Sequence, residues 1–132
     1  MFLLKFFIYL FVSTFTLTSH GFASEFKYVG TSKSGDNFFL DVDSIKLKRN
    51  NKLTAWHITN YNPPANGLVA SELTKLEYNC EDDIIRFLTI FAHPKKNGEG
   101  KVLGKDANIP KGDVHVPPNS QFEKMHSYVC GR

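Results

Sequence analysis

Short alternations of apolar and polar residues, separated by turn residues, dominate the chain after residue 24, and helical periodicity is nearly absent before residue 119. The Asn50-Asn51 pair suits a hairpin tip. Pro63-Pro64 predicts a break in the chain after Tyr61, because proline cannot donate to a strand ladder. The pattern therefore predicts strands at Glu25–Gly30, Asn37–Asp41, Leu53–Tyr61, Leu68–Tyr78 and Ile84–Ala92, with at most a short strand at Lys101–Gly104 before the tail.

One of these strands and the C-terminal tail each carry a further prediction about packing. Both faces of Ile84–Ala92 are rather apolar, which favours a central strand covered on two sides. Ser120 and Glu123 match a capping box that starts a C-terminal helix, with Ser120 at the N-cap. The residues that follow at helical spacing form one apolar stripe that ends at a cysteine: Phe122, Met125, Val129 and Cys130.

The first 23 residues have the pattern of a secretory signal peptide. Lys5 precedes the apolar run 6–12, and the small residues Gly21 and Ala23 stand before a cleavage site after Ala23. The apolar run is far shorter than the ~20 residues that span a bilayer, so we expect no transmembrane segment. We therefore expect an exported domain at residues 24–132, and the lack of a cysteine near the cleavage site argues against a lipid anchor.

Cys80 and Cys130 are the two cysteines of the chain, so a single pairing is available. A disulfide in an exported domain would attach the C-terminal helix to the end of the fourth predicted strand. The alternative is a reactive thiol, which needs a nearby base and an electropositive pocket. The acidic residues at 81–83 disfavour a thiolate at Cys80. We therefore predict the disulfide.

Charge and motifs exclude several functional classes. Without Lys5 the net charge is +2, which is too small to argue for nucleic-acid binding. His57, His93, His115 and His126 show no metal-ligand spacing, and no nucleophile or phosphate-loop motif is found, so the sequence predicts no metal, no cofactor and no enzyme. Asp41 and Asp43 could be paired carboxylates, but a strand end passing into a turn capped by aspartate and serine is the simpler interpretation.

Two basic clusters are candidate binding sites for a sulfated glycan or an acidic protein surface. The first is the long loop before the tail, with Lys95, Lys96, Lys101, Lys105 and Lys111. The second is the predicted hairpin tip, with Lys46, Lys48, Arg49 and Lys52. Solvated loops and protected sheet edges have the same composition. Trp56 is interpreted as an interior aromatic residue, with an exposed binding platform as the alternative.

The order of these landmarks resembles the surface-adhesin protein E-like family of Gram-negative bacteria. The landmarks are Tyr28-Val29-Gly30, Phe38-Phe39-Leu40-Asp41 with Asp43-Ser44-Ile45, the Trp56 strand ending at Tyr61-Asn62-Pro63, the long strand before Cys80, Val116-Pro117-Pro118-Asn119-Ser120, and Tyr128-Val129-Cys130. The resemblance covers nearly all of residues 24–132 and depends on the ordered set together with both cysteines.

The resemblance implies an α+β fold, with a single antiparallel sheet of about six strands, a C-terminal helix packed on one face and one disulfide. It also implies a non-enzymatic exported binding module that contacts host matrix proteins such as vitronectin and laminin, and that can form a homodimer through its sheets. The founding adhesin of the family is lipid-anchored, a feature not expected here. The alternative is a periplasmic envelope domain with a housekeeping or inhibitor-like role, contacting an envelope macromolecule.

Overall fold

The computed structural model describes residues 25–132, so the predicted signal peptide lies outside the described residues. The described chain forms eight strands and one helix: β1 (Phe26–Thr31), β2 (Asn37–Asp41), β3 (Lys46–Leu47), β4 (Lys52–Ala65), β5 (Val69–Asn79), β6 (Ile84–His93), β7 (Gly104–Lys105), β8 (Asp113–His115) and α1 (Gln121–Val129). Short 3-10 turns lie at Val42–Ser44, Arg49–Asn51 and Lys96–Gly98.

All strand pairs are antiparallel, and the strands form one sheet in the order β1-β2-β4-β5-β6-β7. β3 extends the pairing of β4, and β8 pairs with β6. A single antiparallel sheet with one C-terminal helix and one disulfide confirms the predicted fold class. The hairpin tip is also confirmed, because Asn50 and Asn51 adopt positive φ values of 66° and 56° that asparagine tolerates better than most residues.

The predicted break after Tyr61 is wrong in one respect. β4 continues in extended conformation through Pro63 and Pro64 to Ala65, and the Asn62–Pro63 peptide bond is cis. The ladder with β5 is nevertheless interrupted between Asn60 and Ala65. Proline lacks the N–H that a ladder needs but adopts the extended conformation readily, so the pairing stops while the strand continues.

β6 has strand partners on both of its edges, as predicted for a central strand. The prediction that both of its faces are covered is wrong. α1 packs on one face of the sheet, and no second layer of helix or strand lies on the other face within residues 25–132. Lys75 pairs with Thr89 and Leu76 pairs with Phe87, so Leu88 is the extra residue of a β-bulge and is 40% exposed.

The segment after β6 also differs from its prediction. The short strand expected at Lys101–Gly104 lies at Gly104–Lys105, and Asp113–His115 forms a further strand. Both strands pair with the same edge of β6, at opposite ends of it. Strands of two and three residues are too short to produce an alternation in the sequence.

The core lies between the sheet and α1, and the predicted apolar stripe of the helix faces it. The buried apolar cluster consists of Leu40, Ala55, Leu76, Tyr78, Ile85, Met125 and Val129, with Phe122 and Cys130 partly buried against it. The Oγ of Ser120 accepts a hydrogen bond from the Glu123 N–H, as expected of an N-cap. The Cys80–Cys130 disulfide is formed, and it attaches the end of α1 to the residue that follows β5.

Candidate functional site

The face of the sheet away from α1, called the open face here, carries a row of large apolar side chains. Leu40 belongs to the core under α1, and neighbouring residues of a strand point to opposite faces, so Phe39 points to the open face. Directly paired residues share a face. The row therefore crosses six strands: Tyr28, Phe39, Ile58, Leu73, Phe91 and then Lys105.

Trp56 lies on the open face beside this row and is half-buried, between the interior position and the exposed platform that its sequence context allows. Its ring stacks on Phe91 with 6.2 Å between centroids and 20° between planes. The Nζ of Lys75 is 5.8 Å from the Trp56 centroid, and the Nζ of Lys105 is 5.7 Å from the Phe91 centroid, both within cation–π range. An aromatic pair flanked by two ammonium groups thus lies on a face that α1 does not cover.

One part of the open face is covered by the turn after β6. The side chain of Asn60 donates to the Asn97 side chain at 2.9 Å and accepts from the Asn97 N–H at 2.8 Å. Ser71 donates to the carbonyl of Lys95 and accepts from the Gly98 N–H. These bonds hold the 3-10 turn Lys96–Gly98 against the sheet, and Ile58 beneath it is only 4% exposed.

The five lysines of the predicted binding loop are all exposed, but the structure does not bring them into one cluster. Lys95, Lys96 and Lys105 lie near the C-terminal end of β6. Lys111 lies two residues before Asp113, which pairs with Arg86. Arg86 and Phe91 are five residues apart, about 17 Å along the strand, so Lys111 is distant from Lys105.

Asp106 fixes the position of the backbone beside Lys105. Its carboxylate accepts from the Ile90 N–H and from the Thr89 hydroxyl, both at 2.8 Å. The bond from the Ile90 N–H contributes most, followed by the bond from the Thr89 hydroxyl, and together they hold the pKa of Asp106 below its usual value. The chain that carries Lys105 is therefore attached to β6 by side-chain bonds in addition to the two-residue ladder.

A cavity of about 250 Å³ opens on the open face next to Trp56. Its lining consists of Asp41, Asp43, Ser44, Lys46, Thr54, Trp56 and Lys75. The turn predicted at Asp41–Ser44 is present, since Ser44 donates to the carbonyl of Asp41 at 2.7 Å and accepts from the Trp56 N–H at 2.8 Å. The sequence predicted the turn but not the cavity, because Thr54 and Lys75 reach it through strand pairing from distant positions.

The histidines and the basic residues of the hairpin tip are the remaining candidates. His57, His93 and His126 are buried and His115 is exposed, and within residues 25–132 no group of three His, Cys, Asp or Glu side chains is arranged to hold a metal ion. Lys46, Lys48 and Arg49 are exposed around the hairpin tip. Lys52 pairs with Glu77 at 3.6 Å. In the described part of the chain, no helix has the length and apolar character needed to cross a membrane.

Comparison with known proteins gives one family and one fold. A family model described as surface-adhesin protein E matches residues 26–131. Crystal form II of Haemophilus influenzae protein E is 13% identical with a TM-score of 0.63, and the match covers 83% of this chain and 92% of that one. Protein E from non-typeable Haemophilus influenzae is 12% identical with a TM-score of 0.55, covering 79% and 75%. No curated protein sequence matches significantly. At this identity the solved structures show a shared fold.

Proposed function

The chain belongs to the surface-adhesin protein E family, whose model matches residues 26–131, and on this premise we propose that it is a non-enzymatic, adhesin-like binding module. We infer that it is exported through a signal peptide at residues 1–23 and that its partner is a host matrix protein. The family match is the observation that carries the proposal, since it extends over almost the whole described chain.

The lysines of the segment 95–111 are the proposed contact residues for an acidic surface of the partner. All five are exposed, and within residues 25–132 none of them forms an ion pair with a carboxylate, so their charges are available. The hydrogen bonds of Asn97, Ser71 and Asp106 order the backbone that carries Lys95, Lys96 and Lys105. An ordered backbone lowers the conformational entropy lost on binding.

Binding of the mature chain to immobilised vitronectin and laminin tests this proposal. Changing Lys95, Lys96 and Lys101 to Gln should weaken binding roughly tenfold, because each exposed charge contributes a fraction of a kcal/mol. The matched control changes the exposed residues Lys27, Lys33 and Lys124 to Gln, which removes the same charge outside both basic clusters. Binding that both triple variants retain equally, or that salt does not weaken, would remove the 95–111 segment as the contact.

The location of the protein distinguishes an adhesin from an envelope domain. Mass spectrometry of the mature protein should give a chain beginning at Ser24. Digestion by protease added to intact cells supports the adhesin, whereas protection from protease together with release by osmotic shock supports the housekeeping or inhibitor-like role. The homodimer implied by the family resemblance stays a prediction, which sedimentation velocity over a concentration series tests.

A further inference from the structure

Two buried polar side chains beside Trp56 have unfilled hydrogen-bonding capacity. Asp41 is 7% exposed, and within residues 25–132 its Oδ1 has no hydrogen-bond partner. Thr54 is 1% exposed, and its Oγ1 also has no hydrogen-bond partner in the described part of the chain. Both line the 250 Å³ cavity on the open face. Buried polar atoms are nearly always bonded in folded proteins, so two orphan atoms at one cavity need an explanation.

Local folding does not explain the Asp41 carboxylate. Asp41 stands before the 3-10 turn Val42–Ser44, but its side chain makes no capping hydrogen bond. Ser44 stabilises the turn instead, through its bonds to the Asp41 carbonyl and the Trp56 N–H. The turn therefore holds its shape without the carboxylate, whose Oδ1 stays without a hydrogen-bond partner in the described chain.

The charges around the cavity select a neutral ligand with both donors and acceptors. The carboxylates of Asp41 and Asp43 are balanced by the ammonium groups of Lys46 and Lys75, and within residues 25–132 none of the four forms an ion pair. Two lysines disfavour a metal ion, and two carboxylates disfavour an anion. Hydroxyl groups suit all four side chains, because each hydroxyl both donates and accepts.

The size of the cavity and its aromatic wall narrow the class of ligand further. A volume of 250 Å³ lies below the range of about 300–1,000 Å³ that is typical of pockets for drug-sized ligands, so it suits one small ring. The half-buried indole of Trp56 offers an apolar surface next to the polar groups. A pyranose combines a C–H face for such a ring with hydroxyls for the carboxylate, the ammonium groups and the Thr54 hydroxyl.

We propose that the cavity bounded by Asp41, Thr54, Trp56 and Lys75 is a binding site for one pyranose unit of a glycan. None of the lysines at 95–111 lines the cavity, and the proposal stands whether or not those lysines bind a matrix protein. The sugar can belong to a host glycoprotein or to an envelope polysaccharide, since the chemistry of the recognised unit is shared.

Trp56 is the only tryptophan of the chain, so its fluorescence reports directly on the site. The experiment titrates the mature protein, at concentrations where it sediments as a monomer, with the methyl pyranosides of glucose, galactose, mannose and N-acetylglucosamine. At least one probe should give a saturable change in Trp56 fluorescence. The dissociation constant should be about millimolar, as expected of a ligand of this size. A panel without any saturable change overturns the proposal.

Two near-isosteric variants and one control assign the effect to the cavity. Asp41→Asn and Thr54→Val should each weaken the response at least tenfold, whereas Asp82→Asn, an exposed carboxylate outside the cavity, should leave it unchanged. Asp41→Asn should not lower the melting temperature, because within residues 25–132 the Asp41 Oδ1 has no hydrogen-bond partner to lose. A response that both cavity variants retain, or a lower melting temperature of Asp41→Asn with unchanged sugar binding, refutes the site.

Competition identifies the source of the sugar once a probe binds. A matrix glycoprotein that competes before but not after enzymatic deglycosylation indicates a host glycan. Purified envelope polysaccharide that competes alone indicates an envelope glycan. Failure of both to displace the bound probe overturns the inference that the site serves a glycan.

Discussion

His57 should make the protein lose stability between pH 7 and pH 5. Its side chain is 2% exposed on the α1 side of the sheet and packs edge-on against Phe122 with 6.2 Å between ring centroids. Among the described residues, 25–132, its Nδ1 has no hydrogen-bond partner. Burial lowers the pKa of His57 from 6.5 to about 4, because an imidazolium ion would lose its hydration there.

The sign and size of the effect follow from proton linkage. The folded-state pKa lies below the unfolded value, so His57 is neutral in the native state while the unfolded chain binds a proton as the pH falls below 6.5. Stability is therefore present above pH 6.5 and is lost progressively down to about pH 4. With these two pKa values, the free energy of unfolding falls by about 2 kcal/mol between pH 7 and pH 5.

Urea unfolding at pH 7 and pH 5 measures this loss, with His57→Leu as the variant that cannot titrate. The fall in unfolding free energy should be smaller by about 2 kcal/mol in His57→Leu than in the parent chain, whatever the variant's absolute stability. His115→Gln, at an exposed histidine, is the control and should keep most of the parent's fall. Equal pH dependence of the parent chain and His57→Leu would refute the reasoning.

Three further predictions concern α1 and its disulfide. Phe122→Ala should cost about 3 kcal/mol in urea unfolding, because Phe122 is partly buried against Phe38, His57 and Phe87. Lys124→Ala, at an exposed residue of the same helix, should change stability by less than about 0.5 kcal/mol. Equal small effects of the two variants would mean that the apolar stripe of α1 does not pack. Ser120→Ala should cost about 1 kcal/mol in the same assay through loss of the bond from the Glu123 N–H, and Ser120→Gly less. Cys130→Ala should cost about 2–5 kcal/mol, and two alkylatable thiols in the denatured, non-reduced protein would contradict the disulfide.

The sequence pattern was sufficient for the strands with clear alternation, the capped helix and the cysteine pairing. It failed where pairing partners decide the outcome. Trp56 alternates like an interior residue, but its face is set by the register with Lys75 and by a helix that covers only the other side. The strand at Asp113–His115 forms by pairing with the edge of β6 that β5 does not use. The sequence of these three residues alone does not indicate that pairing.

The candidate site was harder to predict than the fold because it combines separate parts of the chain. Asp41 comes from the end of β2, Thr54 and Trp56 from β4, and Lys75 from β5. The sequence identified a turn at Asp41 but could not indicate that the Ser44 hydroxyl stabilises it in place of the Asp41 carboxylate. The lysines at 95–111 were identified by composition, and their separation along the edge of β6 follows only from the pairing of β7 and β8.

The Cys80–Cys130 bond also determines how the chain responds to mechanical tension. A pull applied at the two ends of the chain can extend residues before Cys80, whereas the segment closed by the disulfide transmits the force through the sulfur atoms. The sequence separation of 50 residues corresponds to roughly 170 Å of contour length that stays inextensible until the bond is reduced. β6, β7, β8 and α1 all lie inside that closed segment and are therefore shielded from the load.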